Sequence, residues 1–325
     1  MVVEIKEFLF YLYFFHKSQQ FMKRITLPAF FLILSVCILS QCKRDSENPE
    51  ITVPEYHPMI TAFTSGIVSV ETGIKIRFAE PFPDSVTPRS QIDKNILKFN
   101  PDIEGDLYYV DQRTIEFNPL TKFAPGTSYE VDVRMSRLFP DMKGKEHFSF
   151  EFHTISQHMD LEISGFRPYN DYKPQMNYIT GGVKLSDVAD VQAVESIMKV
   201  EQKGKTLPVS WEHSPDGLQH MFTIDSVQRT EQESMVRIKY DGSFIDADQQ
   251  DVVEFEVPSL GDFKVIDHKL VQYPEQHILV SFSDPIRKNQ YLDGLIRLSS
   301  DTDLRYQVEG NTIRVYPEVR QNGTL

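Results

Sequence analysis

The sequence has 325 residues, 40% of them hydrophobic and 25% charged, with a formal net charge of −13. These values describe a globular chain of about two to three domains, and the acidic balance excludes a nucleic-acid surface, which would gather Lys and Arg on one face. The two cysteines, Cys37 and Cys42, both lie in the N-terminal apolar region, so from Lys43 onward the chain holds no disulfide framework, thiolate metal site or Cys nucleophile.

From Met22 the sequence has the physical pattern of an export signal. Lys23 and Arg24 form a basic start, Leu27 to Leu39 an apolar run, and the chain turns polar directly after Cys42, at Lys43, Arg44 and Asp45. The segment Leu39-Ser40-Gln41-Cys42 resembles a bacterial lipobox, which implies that Cys42 is lipidated and becomes the first residue of the mature protein. Gln41 departs from the small residue usual before that cysteine. An uncleaved membrane anchor and a buried cysteine of no consequence are the alternatives. Lipid chains contribute roughly 0.8 kcal/mol per buried methylene, so several chains on one residue would hold the protein on a membrane.

Residues Met1 to Phe21 carry a second apolar stretch, Phe8 to Phe15. They read as a start assigned too early, with Met22 the true start; a two-pass membrane hairpin is the alternative. After Cys42, the stretch to Pro58 is polar and contains Pro49 and Pro54, as an extended tether would be. Asp45 and Glu47 resemble the short acidic signals that send some lipoproteins of the Bacteroidota to the outer face of the outer membrane.

The remainder repeats one pattern. Gly73 to Phe78, Val183 to Leu185 and Ile278 to Phe282 alternate apolar and polar residues, as half-buried strands do, and each run stops at an acid: Glu80, Asp187 or Asp284. The acids recur at roughly hundred-residue intervals, the size of an immunoglobulin-like sandwich. Thr114 to Pro119 answers Thr312 to Pro317, and the middle copy offers Met221 to Ile224. Tyr129, Val131 and Val133 match Val236, Ile238 and Tyr240; closing strands come next at Phe148 to Phe152 and Val253 to Val257. One short helix is expected between Asp190 and Lys199. The fold class is therefore all-β, with tandem immunoglobulin-like β-sandwiches behind an N-terminal lipoprotein signal peptide.

Phe-Ala-Glu-Pro at 78–81, Thr-Ile-Glu-Phe-Asn-Pro at 114–119, the stretch Phe123 to Val131 and the closing Phe-Glu-Phe-His-Thr at 150–154 resemble a bacterial Ig-like domain. Followed by macroglobulin-like sandwiches, such a tethered unit is similar to the N-terminal part of bacterial alpha-2-macroglobulin lipoproteins, especially those of the Bacteroidota. Together with the N-terminal pattern, the resemblance implies an organisation in six parts. These are a start extension (1–21), a signal peptide (22–41), a lipidated Cys and tether (42–57), an Ig-like domain (58–156), a macroglobulin-like sandwich (157–259) and a truncated one (260–325). Aligned on the first copy, Gln321 to Leu325 falls at the turn Ala124 to Ser128, before the last two strands, so the natural protein is expected to continue. That family traps proteases through a bait segment and a Cys-x-Glu-Gln thioester. The thioester motif has no counterpart here, since no Cys follows Cys42, no bait segment can be identified, and none of the family's chemistry can be carried onto these residues.

Other constellations read as structural. His147 and His153 fall on the strand face opposite Phe148, Phe150 and Phe152, hence towards solvent, and with His158 they lack metal-ligand spacing. Asp246, Asp248 and Asp251 resemble part of a calcium loop, but its glycine and closing Glu are missing, which favours a polar hairpin turn. Glu80, Asp187 and Asp284 are expected to bond nearby backbone amides as turn residues. Trp211 alternates with Val209 and reads as core, with a sugar platform as the alternative. No Gly-x-Ser-x-Gly or phosphate-binding glycine loop is present.

The sequence thus points to a non-enzymatic scaffold without cofactors or nucleic-acid partners, on the periplasmic or cell-surface face of the outer membrane. It would be held through Cys42 and would meet proteases through domains outside this chain. A glycan-binding or adhesive lipoprotein is the alternative, and an enzyme with its catalytic domain elsewhere the third.

Overall fold

A computed structural model describes residues 56–141, 144, 147–170, 173–298 and 302–321. The start extension, signal peptide, Cys42, nearly all of the tether and residues 322–325 lie outside the described residues. Among the described residues no helix is long and apolar enough to cross a membrane.

The first unit contains β1 (Ile60–Phe63), β2 (Gly66–Val68), β3 (Ile74–Phe78), β4 (Gln91–Ile92), β5 (Leu97–Asn100), β6 (Gly105–Asp111), β7 (Thr114–Pro119), β8 (Ser128–Arg134) and β9 (His147–Thr154). One sheet has the order β1-β3-β7-β6-β4 and the other β2-β9-β8-β5. Alternation fixes which side chains meet between them. In β3, Ile74, Ile76 and Phe78 point inwards, at 0%, 0% and 1% exposure, while Lys75 and Arg77 point out. Phe148, Phe150 and Phe152 of β9 face them from the second sheet. At the start of β8, the Tyr129 hydroxyl accepts from the Ala124 amide at 3.0 Å, the tyrosine corner of immunoglobulin-like sandwiches.

The second unit has β10 (Met159–Pro168), β11 (Met176–Leu185), helix α1 (Val191–Ser196), β12 (Met198–Gln202), β13 (Lys205–Thr206), β14 (Val209–His213), β15 (Gln219–Gln228), β16 (Ser234–Asp241) and β17 (Gln250–Val257). Its sheets run β10-β11-β15-β14 and β13-β12-β16-β17. Helix α1 starts where the Asp190 carboxylate accepts from the amides of Gln192 and Ala193. Phe222 lies across Gly181: a Cβ there would stand 2.2 Å from the ring, so only glycine fits.

The third unit has β18 (Val265–Val271), β19 (His277–Phe282), β20 (Leu304–Glu309) and β21 (Thr312–Pro317) in one sheet, ordered β18-β19-β21-β20. The order β1-β3-β7-β6 of the first unit recurs as β10-β11-β15-β14 and again here. The segments that repeat in sequence are antiparallel neighbours in each sheet: Ile74 opposes Phe117, Ile179 opposes Ile224 and Ile278 opposes Val315. Inward-facing Ile278, Val280 and Phe282 are only half-buried, because among the described residues their face is packed by Ile286, Leu292 and Ile296 in place of a second sheet.

Candidate functional site

The recurring acids end the second strand of each unit's first sheet, and two of them sit at the junctions between units. Their expected role as local turn residues needs correcting. The Asp187 carboxylate is 4% exposed and does accept locally, from the Val188 amide at 2.8 Å. Its other bonds cross into the first unit: Oδ1 accepts from Ser69 Oγ and Oδ2 from the Val70 amide, both at 2.7 Å. Val188 packs against the first unit's core. Gln157, in the connecting segment, holds the Asp187 backbone on both sides. Its Nε2 donates to the Asp187 carbonyl at 2.9 Å, and its Oε1 accepts from the Asp187 amide at 3.1 Å. The Ser186 hydroxyl donates to the Ser156 carbonyl at 2.8 Å.

At the second junction Asp284 meets Arg229, which comes just after β15 and whose side chain is 0% exposed. Nη1 donates to Asp284 Oδ1 at 2.7 Å and Nη2 to Oδ2 at 2.9 Å, a bidentate pair. The rest of the guanidinium is satisfied by carbonyls: Nε by Pro258, Nη1 by Ser283, and Nη2 by Ser259 and Asp262. A buried cation costs several kcal/mol to desolvate unless every N–H finds an acceptor, and here every donor does. Burial works to raise the Asp284 pKa, but the hydrogen bonds from Arg229 and Ser283, with the Arg229 charge, outweigh it and leave the carboxyl below its ordinary value. Asn311 adds a buried bond from the β20–β21 turn to the Phe166 carbonyl at 2.7 Å. Lys269 of β18 pairs with Glu162 of β10 at the exposed rim.

Glu80, the third recurring acid, is exposed and makes no hydrogen bond or ion pair among the described residues. The recurrence of Ser186-Asp187 and Ser283-Asp284 was readable in the sequence, but their partners Ser69, Arg229, Gln157 and Asn311 were not. Nothing in the run Val227-Gln228-Arg229-Thr230 distinguishes a buried arginine from a solvated one.

The remaining candidates fall elsewhere. His147 and His153 face outwards from β9, beside Asp132 and Ser128, while His158 contacts Gln249 across the base of the second unit. Asp246 and Asp248 lie in the β16–β17 connection, and Asp251 of β17 accepts from the Val252 amide. Half-buried Trp211 on edge strand β14 packs edge-on against Phe222 in the second core.

A histidine pair was missed altogether. His213 Nδ1 stands 2.8 Å from His220 Nδ1. His220 Nε2 faces the Gly217 carbonyl at 3.1 Å and, since a carbonyl only accepts, must carry a proton. Neutral His220 therefore accepts at Nδ1 the proton that His213 donates. Burial, with the neighbouring His213, holds the His220 pKa below its ordinary value.

Residues 51–154 match the family model of the bacterial Ig-like domain. That span holds both sheets of the first unit. No curated protein matches the chain. Among solved structures, an L,D-transpeptidase from Mycobacterium tuberculosis H37Rv is 15% identical, covering 57% of this chain and 77% of its own, with a TM-score of 0.22. A second, L,D-transpeptidase 3 of the same organism, is 14% identical over 56% of this chain and 79% of its own, with a TM-score of 0.22. The N-terminal eight Ig domains of the Down syndrome cell adhesion molecule are 12% identical over 83% of this chain and 38% of theirs, with a TM-score of 0.16.

Proposed function

We propose that this chain is a non-catalytic spacer that stands on the bacterial envelope and forms the leading domains of an alpha-2-macroglobulin-like protease inhibitor. The observation that carries the spacer reading is the pair of buried junctions, Asp187 on Ser69 and Val70, and Arg229 on Asp284. Immunoglobulin-like domains joined by flexible linkers reorient freely. Domains clasped by buried, directional hydrogen bonds hold the next domain at a set distance and angle. Cys42 is the lipid attachment site in this reading, and residues 43–57 form the tether that lifts the Ig-like domain off the membrane. The inhibitor assignment rests on the resemblance of the Ig-like segment and the sandwiches behind it. Proteases would be engaged by other domains.

The anchor is tested by fractionating cells that make the chain and its Cys42→Ser variant. The wild-type protein should sediment with membranes and carry a diacylglyceryl group on Cys42 by mass spectrometry, and the variant should be released. An unmodified Cys42 in the mature chain would sink the proposal.

A further inference from the structure

We infer that the outer face of the Ig-like domain's first sheet is a carbohydrate-binding site, selective for a hexose oligomer bearing carboxylates, such as a polyuronate. This goes beyond the spacer reading and does not depend on it.

The face carries an open groove of about 640 Å³ whose lining includes Arg89, Tyr108, Tyr109, Glu116 and Asn118. Its floor is a cross-strand row. Gln91 of β4 opposes Tyr108 of β6, Tyr108 opposes Glu116 of β7, and Glu116 opposes Lys75 of β3. Outward-facing side chains in such a row are held at fixed spacing by the ladder. The polar groups are set in place by one another. Gln91 Nε2 donates to Asp106 Oδ1 at 2.8 Å, the Tyr108 hydroxyl donates to Asp106 Oδ2 at 3.3 Å, and Lys75 neutralises Glu116 at 3.3 Å.

Two exposed groups lining the groove with Tyr108 are open to a ligand: the Arg89 guanidinium and the Asn118 amide make no side-chain hydrogen bond or ion pair among the described residues. Arg89 is also held at φ +66, a left-handed conformation unfavourable for a residue with a Cβ, with its amide bonded to the Tyr109 carbonyl at 2.7 Å. Such conformations cost about 1–3 kcal/mol and concentrate at ligand sites.

The chemistry of the groove selects the ligand. An aromatic face is electron-rich and attracts the weakly positive C–H face of a pyranose. A free guanidinium matches a carboxylate bidentately. A free amide beside a carboxylate offers both donor and acceptors to neighbouring hydroxyls. The groove crosses the sheet face, and edge strand β4 has only two residues, so the addition of a peptide strand is not what this surface offers.

The test is isothermal titration of the full chain with hexagalacturonate, with maltohexaose as the neutral counterpart and hexaglutamate as the acidic peptide. Hexagalacturonate should bind at least about tenfold more tightly than either. Arg89→Gln, an exposed change that leaves the unfolding midpoint in place, should weaken it about tenfold or more, as should Tyr108→Ala. Absence of hexagalacturonate binding at millimolar concentration, equal binding of maltohexaose or hexaglutamate, or binding indifferent to Arg89→Gln would overturn the assignment.

Discussion

At the first junction the buried carboxylate of Asp187 takes its hydrogen bonds from a hydroxyl and backbone amides, whereas at the second Asp284 meets the guanidinium of Arg229. Both acids come directly after a serine at the end of the second strand of their sheet, so one position in the repeat does one job twice. The difference lies in the other partner. Ser69 and Val70 belong to a backbone that would be ordered in any case. Arg229 must be carried into the interior as a cation and satisfied there by four carbonyls and a carboxylate. The first junction is therefore the more tolerant, while the second concentrates its strength in one side chain.

Removing that side chain should give the largest effect. Arg229→Met takes the guanidinium from Asp284 and from the carbonyls of Pro258, Ser259, Asp262 and Ser283, leaving, among the described residues, only the Ser283 hydroxyl to donate to Asp284 or Asp262. Breaking a buried pair in this way costs about 3–5 kcal/mol. Hydrogen exchange should show β18 to β21 losing protection while the Ig-like domain keeps its own. Asp187→Ala should cost less, about 2 kcal/mol, because the buried Val70 amide loses its acceptor while the Ser69 hydroxyl can rotate away. Loosening should then centre on residues 69–70 and 186–188. If the two substitutions proved equally costly, the asymmetry between the junctions would be lost.

Acid sharpens the contrast further. The Asp284 pKa is depressed in the folded state, so its contribution is present above the ordinary value of 3.8 and is lost as pH falls through the folded value. Exchange protection of the third unit should therefore fall below about pH 4, and in Asp284→Asn this loss should disappear. A smaller effect is expected within the second unit. His220 is also depressed, so it stays neutral above its ordinary 6.5 and its contribution declines as pH drops below that. A proton added to His220 Nδ1 would set two N–H groups head to head across the 2.8 Å contact with His213. Measured against the intrinsic exchange rate at each pH, amides of β14 and β15 should be less protected at pH 5 than at pH 7, and His220→Asn should abolish the difference. A pH-independent β14 would contradict the proton assignment.

How much of this was legible in the sequence depended on what each feature looks like along the chain. Strands β7 and β21 lie at Thr114–Pro119 and Thr312–Pro317, the two segments that answer one another in the repeat. A half-buried strand writes its burial into every second residue. Helix α1, Val191–Ser196, lies inside the short stretch Asp190 to Lys199 where a helix was expected. The recurrence of Glu80, Asp187 and Asp284 was visible, but the bonds that Asp187 and Asp284 make across the junctions were not. A carboxylate that caps its own turn and one that reaches a residue more than a hundred positions away, as Asp187 reaches Val70, look the same in sequence. Arg229 was invisible for the related reason that a charged residue gives no sign of burial. The groove residues Arg89, Tyr108 and Asn118 were missed because register between β4, β6 and β7, not sequence spacing, brings them together.

The central claim is that the two junctions fix neighbouring units in one orientation. Paired spin labels test it directly, since no cysteine follows Cys42. In a chain carrying Cys37→Ser and Cys42→Ser, cysteines placed at exposed Lys98 and Lys239 report on the first junction, and those at Lys239 and His268 on the second. Pulsed electron–electron double resonance should give one narrow distance distribution for each pair, and Arg229→Met should broaden only the second. Broad distributions in the unsubstituted junctions, or a second distribution unmoved by Arg229→Met, would contradict the account.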